Sequence, residues 1–308
     1  MNESKKLLSI CIPTYNRAKI LDEALGHINR EMKNVDIEEV EIFISDNNSP
    51  DETFEVVQKY VELGMSLKYS KNERNIGADG NFKKCIDNAN GKYLWILGDD
   101  DFLKEGSLCF LLDQLRDQDF GLVHLGDKKG VELETRVYHL PQEFLRNISY
   151  TITFISGNIV ASKFASEINF EKYKETSLLQ VPLYLTAAKK SQKNLFIYKK
   201  LLSTGISYNT SGGFNYFEVF IINYLSIRRE FLKDTPNELF YYKKEKKNLY
   251  KRNILPFMLS IKNRHNFDYK NYWKILLKYY AMEPYFYWFF LKYALVKVYT
   301  KLYKMSDK

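Results

Sequence analysis

The chain has 308 residues, 45% of them hydrophobic, enough for a well-buried core arranged as one large domain or two moderate ones without a covalent staple. Its three cysteines, Cys11, Cys85 and Cys109, are far apart and show no C-x-x-C spacing, which fits free thiols in a reducing compartment better than a disulfide frame or a zinc site. The net charge of +8 is lopsided, because residues 215–308 carry 19 Lys and Arg against 8 Asp and Glu while the rest carries 27 against 30.

Lys5 and Lys6 precede only Leu7–Ile12 before Pro13, a run shorter than a signal-peptide core. Leu7–Ile12 is instead expected as a buried strand, followed by the loop Thr14-Tyr15-Asn16-Arg17. A helix is expected over Ile20–Arg30, where Leu21, Leu25 and Ile28 recur at helical spacing. Val40–Ser45 reads as a second strand, broken by the strong turn signal Asp46-Asn47-Asn48-Ser49-Pro50-Asp51. Ser49 or Asp51 can then cap a helix running to about Leu63. Leu67–Tyr69 is a third strand, Phe82–Ala89 a helix, and Lys92–Leu97 a fourth strand that runs into Gly98-Asp99-Asp100-Asp101. Strands alternating with helices imply an α/β fold with a mostly parallel sheet, whose ligands lie outside the carboxyl ends of the strands. The loops holding Thr14, Asp46 and the aspartate run therefore open toward one edge.

Residue types suggest what that edge can hold. Three adjacent carboxylates repel one another, and a hydrated Mg²⁺ or Mn²⁺ relieves the repulsion while bridging to phosphate oxygens. Tyr15 offers an aromatic face for a base, Asp46 an acceptor for a ring N–H, and Arg74 a cation for a diphosphate. Gly77 and Gly80 permit close backbone approach. Each residue also has a plain structural use: packing for Tyr15, an Asx-turn for Asp46, a solvated charge for Arg74, an acidic turn for the aspartates. Convergence of several loops on one edge favours a site over those separate uses.

Four ordered blocks carry a family likeness. Ile10-Cys11-Ile12-Pro13-Thr14-Tyr15-Asn16-Arg17, Ile44-Ser45-Asp46-Asn47-Asn48-Ser49-Pro50-Asp51-Glu52-Thr53, Asn75-Ile76-Gly77 and Gly91 through Asp101 resemble glycosyltransferase family 2 from residue 7 to about 125. The resemblance implies the GT-A fold, a Rossmann-like sheet with helices on both faces, and a nucleotide-diphospho-sugar donor, a UDP-sugar being favoured. It further implies a divalent metal, Mn or Mg, and inversion at the anomeric carbon. The family's base-binding positions fall on Pro13, Thr14, Tyr15 and Asp46, with Asn16 and Arg74 completing the donor set, and its D-x-D metal motif falls on the aspartate run. Gly98 stands where the first Asp of the usual Asp-x-Asp-Asp would be. Asp100 or Asp101 is then the direct metal ligand, and Asp99 lies nearer the ribose or an outer shell. Leu-Gly-Asp-Asp-Asp is also similar to the branch containing abequosyltransferases and other O-antigen or capsule enzymes, which points to hexosyl transfer in bacterial surface polysaccharide synthesis.

The acceptor half lacks one expected group. An inverting transfer needs a carboxylate to take the acceptor's proton, and the family commonly places it in a Glu-Asp pair opening a helix. Here Phe154–Val160 resembles the preceding central segment and Leu183–Ala188 the helix, but the acid positions fall near Leu179-Gln180. Glu175 is the nearest upstream acid and Glu171 lies further away; either can be a plain surface charge, so the base is unassigned. That gap motivates a second reading, a non-catalytic sugar-nucleotide or saccharide-binding protein with the same fold. Asn194–Lys199 reads as an edge strand, and 203–213 as a loop rich in Gly, Ser and Asn, suited to a lid or a linker. The expected layout is a transferase domain over 1–214, with a nucleotide-sugar half (1–125) and an acceptor half (126–214), followed by a helical extension over 215–308.

In that extension Phe220, Tyr224, Ile227 and Phe231 sit at helical spacing, Pro236 and Pro256 divide the helices, and Lys243–Lys247 with Lys251-Arg252 form a basic run. Tyr285–Phe290 is an aromatic cluster ahead of Lys292, Lys297, Lys301 and Lys304. Aromatics beside lysines suit a membrane interface or, alternatively, a helical bundle packed on tyrosines. No nucleic-acid motif accompanies the charge. The resulting expectation is a cytoplasmic enzyme docked peripherally on the inner face of the cell membrane, acting on a lipid-linked saccharide.

Overall fold

The computed structural model describes residues 6–126, 134–204, 213–260, 267–289, 291, 292 and 295, and its backbone contacts divide the chain into units at 1–208 and 209–308. In the first unit the elements run β1 Leu8–Thr14, α1 Ala18–Met32, β2 Val40–Asp46, α2 Thr53–Glu62, β3 Lys68–Lys71, α3 Gly77–Asn88 and β4 Tyr93–Ile96. They continue with β5 Asp101–Leu103, α4 Ser107–Leu115, β6 Leu122–Leu125, β7 Thr135–Tyr138, α5 Pro141–Ile148, β8 Asn158–Ala161, α6 Val181–Lys190, β9 Asn194–Ile197 and β10 Leu202–Thr204.

Eight strands form one sheet in the order β3-β2-β1-β4-β8-β6-β9-β7, and β5 pairs with β10 in a second, two-stranded sheet. β3, β2, β1 and β4 are parallel, as are β6 and β9, while β8 and β7 run against their neighbours. β2 and β4 are buried along their whole length, as expected of central strands covered on both faces. Thr14 lies opposite Asp46 and Cys11 opposite Ile96, so the chain leaves β1, β2 and β4 at one common edge. The result is a mixed α/β fold around a mostly parallel sheet, the architecture that the resemblance implied.

Three local expectations are corrected. The Asn194 strand is not an edge, because β9 lies between β6 and β7, and β7 takes the edge instead. Of the Phe154–Val160 segment likened to the family's central strand, only the part from Asn158 is extended; two tight helical turns, Ser149–Thr153 and Ile155–Gly157, lead into β8. Asn158 explains the shape, since its amide donates to both Ile152 O (3.0 Å) and Phe154 O (2.6 Å), bonds an extended chain cannot offer. Ser49 and Asp51 do not cap α2, whose start has no side-chain cap; they bond back to the β1–α1 loop. The suggested lid over 203–213 lies largely outside the described residues, of which β10 takes Leu202–Thr204.

The second unit contains α7 Tyr224–Leu232, α8 Glu238–Leu249, α9 Leu255–Ser260 and α10 Tyr272–Tyr280. Wide π-type turns precede α7 (Glu218–Asn223) and join α8 to α9 (Tyr250–Ile254). The first turn shifts the buried stripe to Phe217, Ile221, Leu225, Arg228 and Leu232, leaving the expected Phe220 and Phe231 half-buried while Tyr224 and Ile227 remain inside. Pro256, which cannot donate a helical bond, lies two residues past the second, as the second residue of α9. Tyrosines fill this core: Tyr250 packs on Tyr280 with ring centroids 4.9 Å apart, and the Tyr224 hydroxyl donates to buried Glu245 at 2.6 Å. Lys297, Lys301 and Lys304 lie outside the described residues, among which no helix is long and apolar enough to cross a membrane.

Candidate functional site

The loops leaving β1, β2 and β4 are tied into one another by side chains that the turn-rich sequence supplies. Asp46 closes an Asx-type turn by accepting Ser49 N at 2.8 Å, and Asn48 takes the left-handed conformation there (φ 69°). Ser49 Oγ accepts Asn16 N at 2.8 Å, and Asp51 Oδ2 accepts Ala18 N at 2.8 Å, so the second loop holds the first and the start of α1. Asn16 is itself left-handed (φ 53°), which turns the chain sharply after Tyr15. Tyr15 is left 44% exposed at this edge, available as a stacking face.

Asp46 is fully buried, with Oδ1 engaged by Ser49 N and Oδ2 accepting the Tyr69 hydroxyl at 2.6 Å. Burial and the adjacent carboxylate together push the Tyr69 phenol well above its ordinary range, which keeps that hydroxyl a donor. Asp46 therefore anchors the edge, and any base N–H it reads has to share or displace Tyr69. Asparagines extend the scaffold: Asn47 accepts Ile76 N (2.9 Å) and donates to Asn75 Oδ1 (2.9 Å), while Asn72 donates to Asn47 Oδ1 (3.1 Å). They fix the 72–77 segment ahead of α3, where Gly77 adopts φ 77° and Arg74 is exposed without a side-chain partner among the described residues.

The three aspartates occupy different environments. Asp99 is buried (3% exposed); it accepts Thr14 Oγ1 at 2.8 Å and is paired with Arg17 at 2.6 Å. Burial raises its carboxyl above the ordinary value, and the Arg17 guanidinium opposes that rise. Asp100 is the open member, its side chain 40% exposed and 3.7 Å from Arg17. Asp101 is 6% exposed and hydrogen-bonded to Ser156, and burial pushes it up to about 6, with repulsion from Asp100 and Asp99 adding to the rise. Ser156 also accepts Gly98 N through its hydroxyl (2.8 Å) and Trp95 Nε1 through its carbonyl (2.8 Å). A Cβ at Gly98 would stand 3.1 Å from Asp100 Oδ1 and 3.2 Å from Asp101 Oδ2, so the glycine leaves both carboxylates room.

Asp100 and Asp101 fit a divalent ion on this geometry. Asp99 has a cation, whereas the negative charge at Asp101 is met only by a hydroxyl and by two repelling neighbours. Among the described residues no three His, Cys, Asp or Glu side chains converge as a ready-made metal cage, so an ion held by the two carboxylates would need its remaining ligands from phosphate oxygens and water.

The acceptor-side acids are placed less favourably. Glu175 is exposed at φ 68°, and Glu171 is exposed with its carboxylate 3.3 Å from Lys174. Gln180 directly precedes α6 and is buried with its Oε1 unpartnered, so neither residue of the Leu179-Gln180 pair itself supplies a carboxylate. The loop there is held by Asp79 on α3, which accepts Ser177 N (2.8 Å) and Leu179 N (3.3 Å). Burial raises the Asp79 carboxyl despite these donors.

Sequence reasoning did not assign Arg17, Ser156 or Asp79. Arg17 was legible as the one cation in the loop facing an acidic run, whereas Ser156 and Asp79 act only through neighbours more than fifty residues away.

Comparison with known proteins places this geometry. The model of glycosyl transferase family 2 matches residues 9–174. The abequosyltransferase RfbV of Salmonella typhimurium is 42% identical over 125 residues, 40% of this chain and 36% of that protein. The GalNAc(5)-diNAcBac-PP-undecaprenol beta-1,3-glucosyltransferase of Campylobacter jejuni is 30% identical over 173 residues, 56% of this chain and 52% of its own. The matched stretches thus span about a third to a half of these relatives. The crystal structure of Staphylococcus aureus TarS 1-349 in complex with UDP-GlcNAc shares the fold at TM-score 0.62 and 16% identity, covering 89% of this chain and 80% of that one.

Proposed function

The chain belongs to glycosyl transferase family 2, and from that premise we propose that it moves a sugar from a nucleotide-diphospho-sugar to a saccharide in bacterial surface polysaccharide synthesis. The observation that carries the reading is the junction of Thr14 and Arg17 with Asp99, which fixes the β4 loop and leaves Asp100 and Asp101 facing the shared edge. Tyr15, with Pro13 and Asn16 around it, stacks the base; Asp46 orients it; Asp99 faces the ribose; and Arg74 meets the diphosphate. A UDP-sugar is the donor class, the class that the S. aureus neighbour holds. Asp100 and Asp101 are the pair that would hold Mn²⁺ or Mg²⁺, whose chemistry there is to offset charge on the diphosphate leaving group.

The reaction is a displacement with inversion: the acceptor oxygen bonds to the anomeric carbon as the bond to the diphosphate breaks, and the hydroxyl proton passes to a base. Glu175 is the nearest acid to the expected position. The acceptor is a lipid-linked saccharide, the class named for the C. jejuni relative, and the 215–308 region brings the enzyme to the inner face of the membrane. Its exposed Trp288, Leu291 and Leu295 beside Lys292 support that placement.

Buried, uncharged Gln180 favours one second reading, a sugar-nucleotide or saccharide-binding protein without turnover. Incubating the protein with UDP-sugars, Mn²⁺ and lipid-linked saccharides, and reading nucleotide release with the anomeric configuration of the product by NMR, separates the two. Metal-dependent release with inverted configuration is expected; tight donor binding with no release would establish the second reading.

A further inference from the structure

Beyond the aspartates, the end of β6, the turn ahead of β8 and the segment joining β9 to β10 border a cleft of about 170 Å³ lined by Asp101, Leu125, Phe154, Lys199, Lys200 and Leu201, among others. It touches the proposed metal pair through Asp101, so whatever lies in it is next to the transferring sugar. Its aromatic wall is built rather than incidental. Phe154 is 44% exposed, yet its backbone is held by the Asn158 amide, and Asn158 is in turn bonded to buried His124 at 2.9 Å. The Phe154 ring lies where a Cβ at residue 157 would stand, 2.7 Å from it, so Gly157 is what allows the ring to settle there. A ring fixed in this way loses little freedom when a ligand stacks on it.

The two lysines of the cleft differ. Lys199 already pairs with Glu134 at 3.2 Å and sits over the Phe110 ring at 4.3 Å. Lys200 is exposed and has no ion pair among the described residues, which leaves one uncommitted ammonium beside an apolar, aromatic floor. A pyranose lays its C–H face on an aromatic ring, whose face is electron-rich, and an uncommitted lysine meets an anionic oxygen.

Building on the glycosyltransferase reading, we propose that this cleft is the acceptor subsite and that it selects an acidic saccharide, stacked on Phe154 with its carboxylate or phosphate on Lys200. The test titrates methyl β-glucuronide, glucose-1-phosphate and neutral methyl β-glucoside into the full chain, reading ligand NMR signals in the wild type, Lys200→Gln and Phe154→Ala. The wild type is expected to bind an acidic probe about fivefold more tightly than the neutral one, the size an exposed ion pair supports. Lys200→Gln removes that preference without weakening the glucoside, and Phe154→Ala weakens every probe. Whichever of the glucuronide and the phosphate binds more tightly identifies the source of the anion. Equal or absent binding of acidic and neutral probes, or a preference that survives Lys200→Gln, overturns the proposal. UDP titrated with Mn²⁺ into the same samples keeps the two readings apart: UDP binding without acidic preference defeats this inference alone, whereas absent UDP binding defeats the donor site on which it rests.

Discussion

Replacing Arg17 by Met tests whether the junction between the β1 and β4 loops holds the site together. The guanidinium lies 2.6 Å from Asp99, whose side chain is 4% exposed, while that of Arg17 is 21% exposed. Removing a partner from a buried pair costs about 3–5 kcal/mol; with water able to reach the vacated fifth of the surface, and Thr14 still donating, about 2–3 kcal/mol is expected here. Asp99→Asn keeps the shape but strands the cation, 3.7 Å from Asp100, and costs about 1–2 kcal/mol. The double variant has neither stranded charge, so its loss falls below the sum of the singles by about 2 kcal/mol. Guanidinium unfolding reads this through Trp95, which is fully buried in the first unit, in a Trp273→Phe/Trp288→Phe background that removes the other two tryptophans. A coupling below about 0.5 kcal/mol, the scatter expected of independent sites, would refute the junction.

Asp79→Asn leaves one acceptor oxygen for the Ser177 and Leu179 amides and turns the other position into a donor; initial-rate kinetics should show the acceptor KM rising severalfold with the donor KM unchanged. Glu41 is buried, and although burial alone raises its carboxyl, bonds from Ser9 (2.5 Å) and Asn90 N (2.6 Å) hold it below its ordinary value. A lowered native value stabilises the fold above the unfolded pKa of about 4.3 and loses that effect as pH falls through the native value. Glu41→Gln should therefore cost about 1–2 kcal/mol at neutral pH and progressively less below about pH 4, by denaturation across pH; a cost independent of pH contradicts the assignment. Gly91→Ala places a Cβ 2.7 Å from Ser9 N, a backbone atom that cannot swing away. Thermal unfolding should show a loss of about 2 kcal/mol or more, or no soluble protein.

The parallel half of the sheet was legible because its strands are short, mainly apolar runs closed by the turn residues at Thr14-Tyr15-Asn16, Asp46-Asn47-Asn48 and Gly98, although β1 runs through Pro13 to Thr14, and the same punctuation places their ends at one edge. Family membership was legible for the same reason, since the loops that make the edge are the blocks that carry the likeness. Tertiary assignments were not. Ser49 and Asp51 have the composition of helix caps, yet their oxygens meet amides of the β1–α1 loop, which only the folded sheet brings close. β9 is a short segment, Asn194-Leu195-Phe196-Ile197, whose sequence says nothing about whether β7 will cover it. The π-type turn before α7 moved the buried stripe because one wide turn rotates every later residue, which strict helical spacing does not foresee.

In the proposed mechanism Asp100 and Asp101 couple a divalent ion to a nucleotide diphosphate at the edge built by Thr14, Tyr15 and Arg17. Calorimetric titration of UDP into the wild type and the Asp100→Asn/Asp101→Asn variant, each with and without Mn²⁺, tests it directly. Mn²⁺ is expected to tighten UDP binding at least about tenfold in the wild type, a coupling within the usual range, and to have no effect in the variant, whose melting temperature without ligand stays close to that of the wild type. UDP binding that is indifferent to Mn²⁺ in the wild type, or a Mn²⁺ effect that survives loss of both carboxylates, would contradict it.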